Sequence, residues 1–155
     1  MTSERERLLN GLNCANMRLR RTGRALTDFY NAVMAPSGLH ANQFTLLIPA
    51  YLNPGLTINQ LARIAALDRT TLARNLKLLE EHQWITLSSG EDLRTREIRL
   101  TETGRQALLA ALPLWEQAQR QVATSLGQNG IEQLFAMLDR LEADLPQSNA
   151  ASDPI

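Results

Sequence analysis

The fold is decided by residues 57–82, which read TINQLARIAALDRTTLARNLKLLEEH. Apolar residues recur three and four positions apart on both sides of Asp68, a pattern that predicts two amphipathic helices. Thr57 begins the spacing of a capping box, and Asp68 is typical of an N-cap, so we expect the helices over residues 57–66 and 69–82. They would pack across a turn of one or two residues, as in a helix-turn-helix unit.

The periodicity changes directly after this unit. Ile85 and Leu87 alternate with polar residues, and residues 97–101 alternate in the same way, which predicts two β-strands. The residues between them are polar and rich in turn formers from Ser89 onward, so the strands are expected to form a hairpin with a long loop that carries arginines. The centre of the chain therefore has the order helix, turn, helix, hairpin.

Two helices are expected before this centre. Helical spacing of apolar residues runs from Leu8 to Val33, which predicts one long first helix that ends near Ala35. A second helix is expected over residues 41–52, where Pro49 removes a backbone hydrogen bond and should kink or fray the last turn.

Two more helices are expected after the hairpin. The first follows Gly104 and extends to Leu126, and the second begins after a break at residues 127–130. The last helix has an apolar stripe made of Ile131, Leu134, Phe135, Leu138, Leu141 and Leu145.

The terminal helices are too apolar along one side to remain uncovered, and nothing between them is large enough to cover both. We therefore expect them to pair with a second copy of the chain. The chain then forms one mainly α domain with a small β-hairpin, with dimerisation helices at residues 1–38 and 105–145, a central region at 39–104, and a flexible tail at 146–155.

The polar side of the second helix in the central unit carries residue types that contact DNA. These residues are Arg69, Thr70, Thr71, Arg74, Asn75 and Lys77. Arginine pairs with guanine, asparagine with adenine, and the threonine methyl group packs on thymine. A recognition helix directs its N-terminal residues at base edges, where the first three lie. The alternative is a helical hairpin with a solvated polar face.

Arginines also lie in the predicted hairpin loop. Arg94 and Arg96 are at or near its tip, where a positively charged finger can enter a minor groove. Asp92 could position the Arg94 guanidinium through a carboxylate pair. The alternative is a surface hairpin with a random mixture of charges.

Four of these segments together carry a resemblance to a known family. They are GLTINQLA at residues 55–62, DRTTLARNLKLLE at 68–80, Trp84-Ile, and Asp92-Leu-Arg94 followed by IRLTETG at 98–104. In this order they are similar to the MarR family of dimeric winged helix-turn-helix transcriptional regulators. The resemblance extends from the first helix to about Leu145. Pro49, where a helical residue is usual, and the acidic Glu91 and Glu97 in the wing depart from the family pattern.

The resemblance implies a homodimer built from the terminal helices that binds a pseudo-palindromic operator in double-stranded DNA. It implies that Arg69, Thr70, Thr71, Arg74 and Asn75 contact the major groove and that Arg94 contacts the minor groove. It also implies release by a small, often phenolic or aromatic, effector or by cysteine oxidation. The function expected on this basis is transcriptional regulation, with repression as the mode.

Candidate sensing residues are few. Cys14 in the first helix is a candidate redox site, since some relatives sense peroxides through a cysteine there, and the alternative is a small residue buried in a helical interface. His40 stands before the second helix, near where family ligands bind, and could be an effector contact or a loop-capping residue. Phe29 and Tyr30 could line an effector cavity, or they could belong to the core.

Composition excludes several other classes of protein. The 155 residues suit one domain, and one cysteine with two distant histidines predicts neither a disulfide framework nor a metal site. No Ser/His/Asp order, phosphate loop or paired carboxylates indicate an enzyme, and no cofactor is expected. The charged N-terminus and the low hydropathy of residues 31–62 predict a cytoplasmic protein without a membrane span.

The charge distribution supports a second hypothesis. The net charge is zero, with +3 over residues 1–40, +1 over 41–105 and −4 over 106–155. A nucleic-acid-binding protein usually has an excess of lysine and arginine. The alternative to a regulator is therefore a winged-helix protein-interaction module that lacks specific DNA binding.

Overall fold

A computed structural model describes residues 3–90 and 95–145. In chain order, the elements are α1 (Glu4–Gly11), α2 (Ala15–Met34), a 3-10 turn (Ala35–Ser37), α3 (Ala41–Leu52), α4 (Ile58–Ala65), α5 (Arg69–Glu81), β1 (Ile85–Ser89), β2 (Arg96–Leu100), α6 (Glu102–Leu126) and α7 (Gly130–Asp144). The predicted class, mainly α with a two-stranded hairpin, is confirmed.

The prediction of one long first helix is wrong, because α1 ends at Gly11 and α2 starts at Ala15. Cys14 is extended and caps α2, since its Sγ accepts a hydrogen bond from the Met17 amide at 3.4 Å. The apolar periodicity continues across this break, so the pattern alone does not reveal it. Gly11 and Asn13 have low helix propensity and favour the interruption.

The bounds of α3 agree with the expected residues 41–52, but the fraying expected at Pro49 does not occur, and the start of α6 differs from expectation. Helix α3 continues through Pro49 without fraying and ends at Leu52, where the Asn53 amide and its side-chain Nδ2 both donate to the Pro49 carbonyl at 3.0 Å. Helix α6 begins at Glu102 rather than after Gly104, because Thr101 is its N-cap.

The hydrophobic core is formed by the helix-turn-helix unit and the hairpin together with α3 and α6, which pack against them. Phe44 and Leu47 of α3, Leu61 of α4 and Leu72 of α5 are almost fully buried. They meet Ile98 of β2, and Trp115 of α6 stacks on Phe44 with ring centroids 5.7 Å apart. Burial of these side chains fixes α5 against the hairpin and fixes both to α6.

The hairpin is joined to the segment before α4 as well as to α5. Strands β1 and β2 are antiparallel, with Ile85 opposite Leu100 and Leu87 opposite Ile98. The Ile98 amide donates to the Leu56 carbonyl at 2.8 Å, and Thr57 forms a further bridge with Glu97. The hairpin root is therefore held in a fixed position beside the helix pair. Within residues 3–90 and 95–145, no helix combines the length and apolarity required to span a bilayer.

Candidate nucleic-acid interface

The turn between α4 and α5 sets the start of the predicted recognition helix. Ala66 has a positive φ of 50°, which ends α4, and the Leu67 amide donates back to the Ala62 carbonyl at 3.1 Å. Asp68 then caps α5 by accepting hydrogen bonds from the Thr71 hydroxyl at 2.6 Å and the Thr71 amide at 2.9 Å. These two donors hold the pKa of Asp68 below its ordinary value. The predicted cap is confirmed.

One face of α5 is free to meet a ligand. Thr70, Arg74 and Lys77 are exposed, and their spacing places them on the same side of the helix. Arg69 is also exposed, at the first helical position. The Lys77 ammonium lies 3.9 Å from Glu81 Oε1, so part of its charge is balanced on the helix itself. The side opposite this face carries Leu72, Leu76 and Leu79, which are buried in the core.

Thr71 and Asn75, also predicted to contact bases, lie on a different flank of α5. Both are half-buried. The Thr71 hydroxyl donates to Asp68, and Asn75 Nδ2 donates to the Thr71 carbonyl at 2.8 Å. They face a groove of about 320 Å³ toward α3 that Asn42 and Thr45 also line. The six predicted DNA-contacting residues of α5 therefore occupy two sides of the helix.

The hairpin places Arg96 at the last residue pair of the ladder, opposite Ser89, with its side chain exposed. The Gly90 amide donates to the Thr95 carbonyl at 2.9 Å, just beyond this pair. Asp92 and Arg94, the other two predicted wing residues, lie outside the described residues. Sequence reasoning did not single out Arg99, whose Nη2 lies 3.4 Å from Glu97 Oε2 on the same strand.

A groove of about 500 Å³ separates α5 from the hairpin. Cationic side chains line it from both sides, Arg69 and Lys77 from α5 and Arg96 from β2. Asn59, in the first turn of α4, and Glu80, near the end of α5, complete its polar lining. Among the described residues, Glu80 forms no ion pair. Neither Asn59 nor Glu80 was identified from the sequence.

The hairpin root is fixed to α6 by the residues of the IRLTETG segment. The Thr101 hydroxyl donates to the carbonyl of Gln83 at 2.6 Å and accepts from the Gly104 amide at 2.9 Å. The Thr101 amide donates to the Trp84 carbonyl at 3.0 Å. A Cβ on Gly104 would lie only 2.1 Å from that same carbonyl oxygen. This close approach explains why glycine occupies the first turn of α6.

The candidate effector residues separate into two groups. Tyr30 lies with Trp115 in the lining of a cavity of about 230 Å³ between α2, α3 and α6. The Tyr30 hydroxyl donates to Gln119 Oε1, and burial raises the pKa of this phenol. Phe29 packs edge-on against Tyr30, with ring centroids 5.9 Å apart. His40 is exposed before α3 and is not part of the cavity lining.

Cys14, the candidate redox residue, lies between two helices rather than within one. It is exposed in the single chain, so the packing interpretation holds only if a second copy covers it. Among the described residues, no group of three His, Cys, Asp or Glu side chains is arranged to hold a metal ion.

The terminal helices leave apolar side chains in solvent in the single chain. On α1, Leu8 is 70% exposed, and on α7 Phe135 is 50% exposed. The other exposed leucines on or next to α1, α2, α6 and α7 are Leu9, Leu12, Leu19, Leu109, Leu112, Leu126, Leu141 and Leu145. A surface of this kind in a globular protein marks an interaction site.

Comparison with known sequences supports the same architecture. A family model described as MarR family matches residues 37–95. The HTH-type transcriptional regulator YybA of Bacillus subtilis (strain 168) is 32% identical over 84 residues, which are 54% of this chain. The match spans 56% of that relative, so it covers little more than half of the relative's length.

Solved structures match over most of the chain. The transcriptional regulator MosR of M. tuberculosis, solved in complex with DNA, is 34% identical with a TM-score of 0.74 and covers 84% of this chain and 96% of its own. MepR of S. aureus, also solved in complex with DNA, is 20% identical with a TM-score of 0.75 and covers 86% and 98%. The second similarity shows the fold alone, and it supports the predicted winged-helix architecture.

Proposed function

The chain belongs to the MarR family of DNA-binding transcriptional regulators, and from this premise we propose that it is a repressor that binds a pseudo-palindromic operator as a homodimer. In this proposal, α5 enters the major groove and the hairpin enters the adjacent minor groove. A small ligand or an oxidant releases the operator.

The observation that carries the proposal is the exposed polar face of α5 beside an arginine-bearing hairpin. Thr70, Arg74 and Lys77 project from one side of a helix whose start is fixed by Asp68. Arg96 extends from the neighbouring strand. Arginine and threonine are suited to base edges in the major groove, and a narrow minor groove attracts arginine. Arg94 and Asp92 join this surface in the proposal.

Pairing of two chains would place two such surfaces on one face of the DNA. The exposed apolar residues of α1, α2, α6 and α7 supply the area for this pairing. Two-fold symmetry then requires two half-sites, about one helical turn or 10 base pairs apart. The acidic residues of α7 would lie away from the DNA in this arrangement.

Release would follow from linkage between the dimer helices and α5. An aromatic ligand in the cavity beside Tyr30 and Trp115 would contact α2, α3 and α6 together. A ligand that prefers a dimer with wrongly spaced α5 helices lowers the affinity for the operator. By linkage, the operator lowers the affinity for that ligand by the same factor. His40 and Phe29, which directly precede the lining residues Ala41 and Tyr30 in the chain, are assigned to the same effector site in this proposal, and Cys14 is the alternative oxidant sensor.

Fluorescence anisotropy with the DNA upstream of the protein's own gene tests the proposal. We expect nanomolar binding that resists competitor DNA and weakens steeply as salt rises from about 50 to 300 mM. Replacement of Arg74 by glutamine should reduce the preference for the operator over a scrambled duplex. Weak binding that is equal for all sequences, here and after selection from random DNA, would instead favour the protein-interaction module.

A further inference from the structure

The Tyr30 cavity, the space of about 230 Å³ between α2, α3 and α6, has a second space beside it. This second space is the Asn75 groove, of about 320 Å³, which Thr71 of α5 also lines. Asn42 and Thr45 line both spaces, and their spacing places them on the same side of α3. The Tyr30 cavity and the Asn75 groove therefore adjoin each other along one strip of α3.

The volumes indicate a ligand that uses both spaces. Pockets that bind small molecules usually measure roughly 300–1,000 Å³. The Tyr30 cavity alone is below this range, whereas the cavity and the groove together fall within it. Leu26 and Trp115 in the cavity wall suit an aromatic ring. A ring in the cavity with an arm that passes Thr45 fits the combined shape.

The lining of both spaces is uncharged. Among the residues that the structure describes, no Asp, Glu, Lys, Arg or His lines either of them. A carboxylate or an ammonium group that enters loses part of its hydration and meets no opposite charge in return. The lining therefore favours an uncharged ligand over an aromatic acid or an aromatic amine.

The hydroxyl groups of the lining already use their hydrogens. Thr45 donates to the carbonyl three residues earlier at 3.0 Å, and Thr27 donates to the carbonyl four residues earlier at 2.9 Å. Thr71 donates to Asp68 at 2.6 Å, and Tyr30 donates to a glutamine of α6. Each of these oxygens keeps a lone pair that can accept a hydrogen bond. A ligand that donates matches this lining, whereas a carboxylate, which only accepts, does not.

We propose, on the basis of the effector site in the proposed function, that the Tyr30 cavity and the Asn75 groove together bind one uncharged aromatic carboxamide. Its ring lies beside Tyr30, and its amide nitrogen donates to the acceptors of the groove. Asn42 is available at the junction, because its side chain bonds to no other residue that the structure describes. This ligand class excludes the aromatic acids.

A ligand in this position touches α5 itself. Thr71 is in the first turn of α5, and Asn75 Nδ2 donates to its carbonyl at 2.8 Å one turn later. The amide arm occupies this flank of α5, so it lowers the affinity for the operator from within one chain. A ligand confined to the Tyr30 cavity contacts only α2, α3 and α6.

Isothermal titration calorimetry of the full chain without DNA tests the ligand class with four probes. Cinnamamide, cinnamate and cinnamylamine share one skeleton and are neutral, negative and positive, and benzamide is a shorter neutral amide. Cinnamamide should bind at least about tenfold more tightly than the acid or the amine, because a polar group left unmatched in the site costs about this factor. It should also bind about tenfold more tightly than benzamide, because the longer skeleton buries more apolar surface in the groove.

Two variants test the position of the ligand. Ala65 lines the Asn75 groove but not the Tyr30 cavity, so Ala65→Leu should weaken cinnamamide by about tenfold and leave benzamide unchanged. Ala73→Leu is the matched control, since it makes the same change at an exposed position of α5 outside both spaces. Asn42→Lys adds a cation at the junction and should reverse the preference in favour of cinnamate. Asn42 is exposed, so this variant keeps the test valid if Ala65→Leu does not fold.

Several outcomes would overturn the proposal. Cinnamate that binds the wild type as tightly as cinnamamide would refute an uncharged ligand, and equal affinities for benzamide and cinnamamide would refute the use of both spaces. No binding of any probe at millimolar concentration would refute the proposal as a whole.

Operator binding is measured separately by anisotropy, where cinnamamide should lower the affinity for an operator selected from random sequence. Cinnamamide that binds but leaves this affinity unchanged would refute the contact with α5. A chain that binds no operator refutes the proposed function, whatever the calorimetry shows. A chain that binds its operator and ignores every probe refutes only the ligand assignment.

Discussion

Replacement of Gly104 by alanine tests the joint between the hairpin and α6. A Cβ at this position would lie 2.1 Å from the Trp84 carbonyl oxygen, 2.8 Å from the carbonyl carbon, and 2.9 Å from Leu100 Cδ1. Ordinary contacts between such atoms are about 3.5 Å. Because the closest atoms belong to the backbone, no change of side-chain rotamer relieves the clash.

The size of the effect follows from what the Trp84 carbonyl does. It accepts hydrogen bonds from the Thr101 amide at 3.0 Å and from the Thr101 hydroxyl at 3.1 Å. Overpacking of this kind costs about 1–3 kcal/mol, and a weakened hydrogen bond costs about 1 kcal/mol. The helix preference of alanine over glycine offsets about 1 kcal/mol. We expect a net decrease of about 2 kcal/mol in unfolding free energy, or about 4–8 °C in melting temperature.

Urea unfolding and thermal melting, both followed by circular dichroism, measure this decrease. Gly23→Ala is the matched control, because Gly23 is within helix α2 and an added Cβ there meets nothing within 4 Å. That variant should be more stable than the wild type by about 0.5–1 kcal/mol. Equal or higher stability of Gly104→Ala would refute the reasoning, since it would mean that the backbone at Trp84 moves aside without cost.

Three further predictions concern the cap, the dimer and the cavity. The lowered pKa of Asp68 means that its carboxylate stabilises the fold above its ordinary pKa of about 4, and that this contribution disappears as pH falls toward the folded-state value. The difference in unfolding free energy between wild type and Asp68→Asn should therefore shrink from pH 7 to pH 3, and a constant difference would contradict the assignment. Leu141→Lys should give monomers in sedimentation velocity and lower operator affinity by about a hundredfold or more, whereas Gln133→Lys on the same helix should remain dimeric. Tyr30→Phe leaves Gln119 Oε1 without its donor and should lower the unfolding free energy by about 1 kcal/mol, and an unchanged urea midpoint would show that the hydrogen bond contributes nothing.

The centre of the fold is predictable because its signals are local. Thr57 and Asp68 bond to amides three residues ahead, so the capping pattern in the sequence is the interaction in the structure. The hairpin follows for the same reason, since alternation is a property of neighbouring residues. Contacts between the hairpin and Leu56 or Trp84 join distant segments, and no spacing in the sequence reveals them.

The break between α1 and α2 shows where periodicity alone fails. Leu8 and Leu12 continue the apolar spacing of α2, yet the helix stops between them and resumes after Cys14. Periodicity records which side of a helix is apolar, but it does not record whether the backbone hydrogen bonds are continuous. The Cys14 thiol accepts a hydrogen bond from one of the free amides at the start of α2. Because cysteine is not among the usual capping residues, the sequence does not mark this helix start.

The side chains of α5 show the same limit at the candidate site. The sequence places six polar residues on this helix, but it does not state which of them already have partners. Asn75 donates to the carbonyl four residues earlier and Thr71 donates to Asp68, so both have hydrogen-bonding capacity occupied within the helix before any DNA arrives. The side chains of Thr70 and Arg74 form no such competing hydrogen bond with any other residue that the structure describes.

The balance of charge in the groove bears on how a chain with no net charge can select a DNA sequence. Sequence-independent affinity grows with the number of phosphates that the protein neutralises. In the groove between α5 and the hairpin, the negative charge of Glu80 shares the lining with Arg69 and Arg96. Glu81 lies 3.9 Å from the Lys77 ammonium. In the proposed function, both carboxylates would reduce the attraction to any duplex, whereas base contacts from Thr70 and Arg74 would act only on the operator. A dimer doubles these base contacts, so we infer that selectivity in this protein comes from weak general attraction combined with two sets of specific contacts.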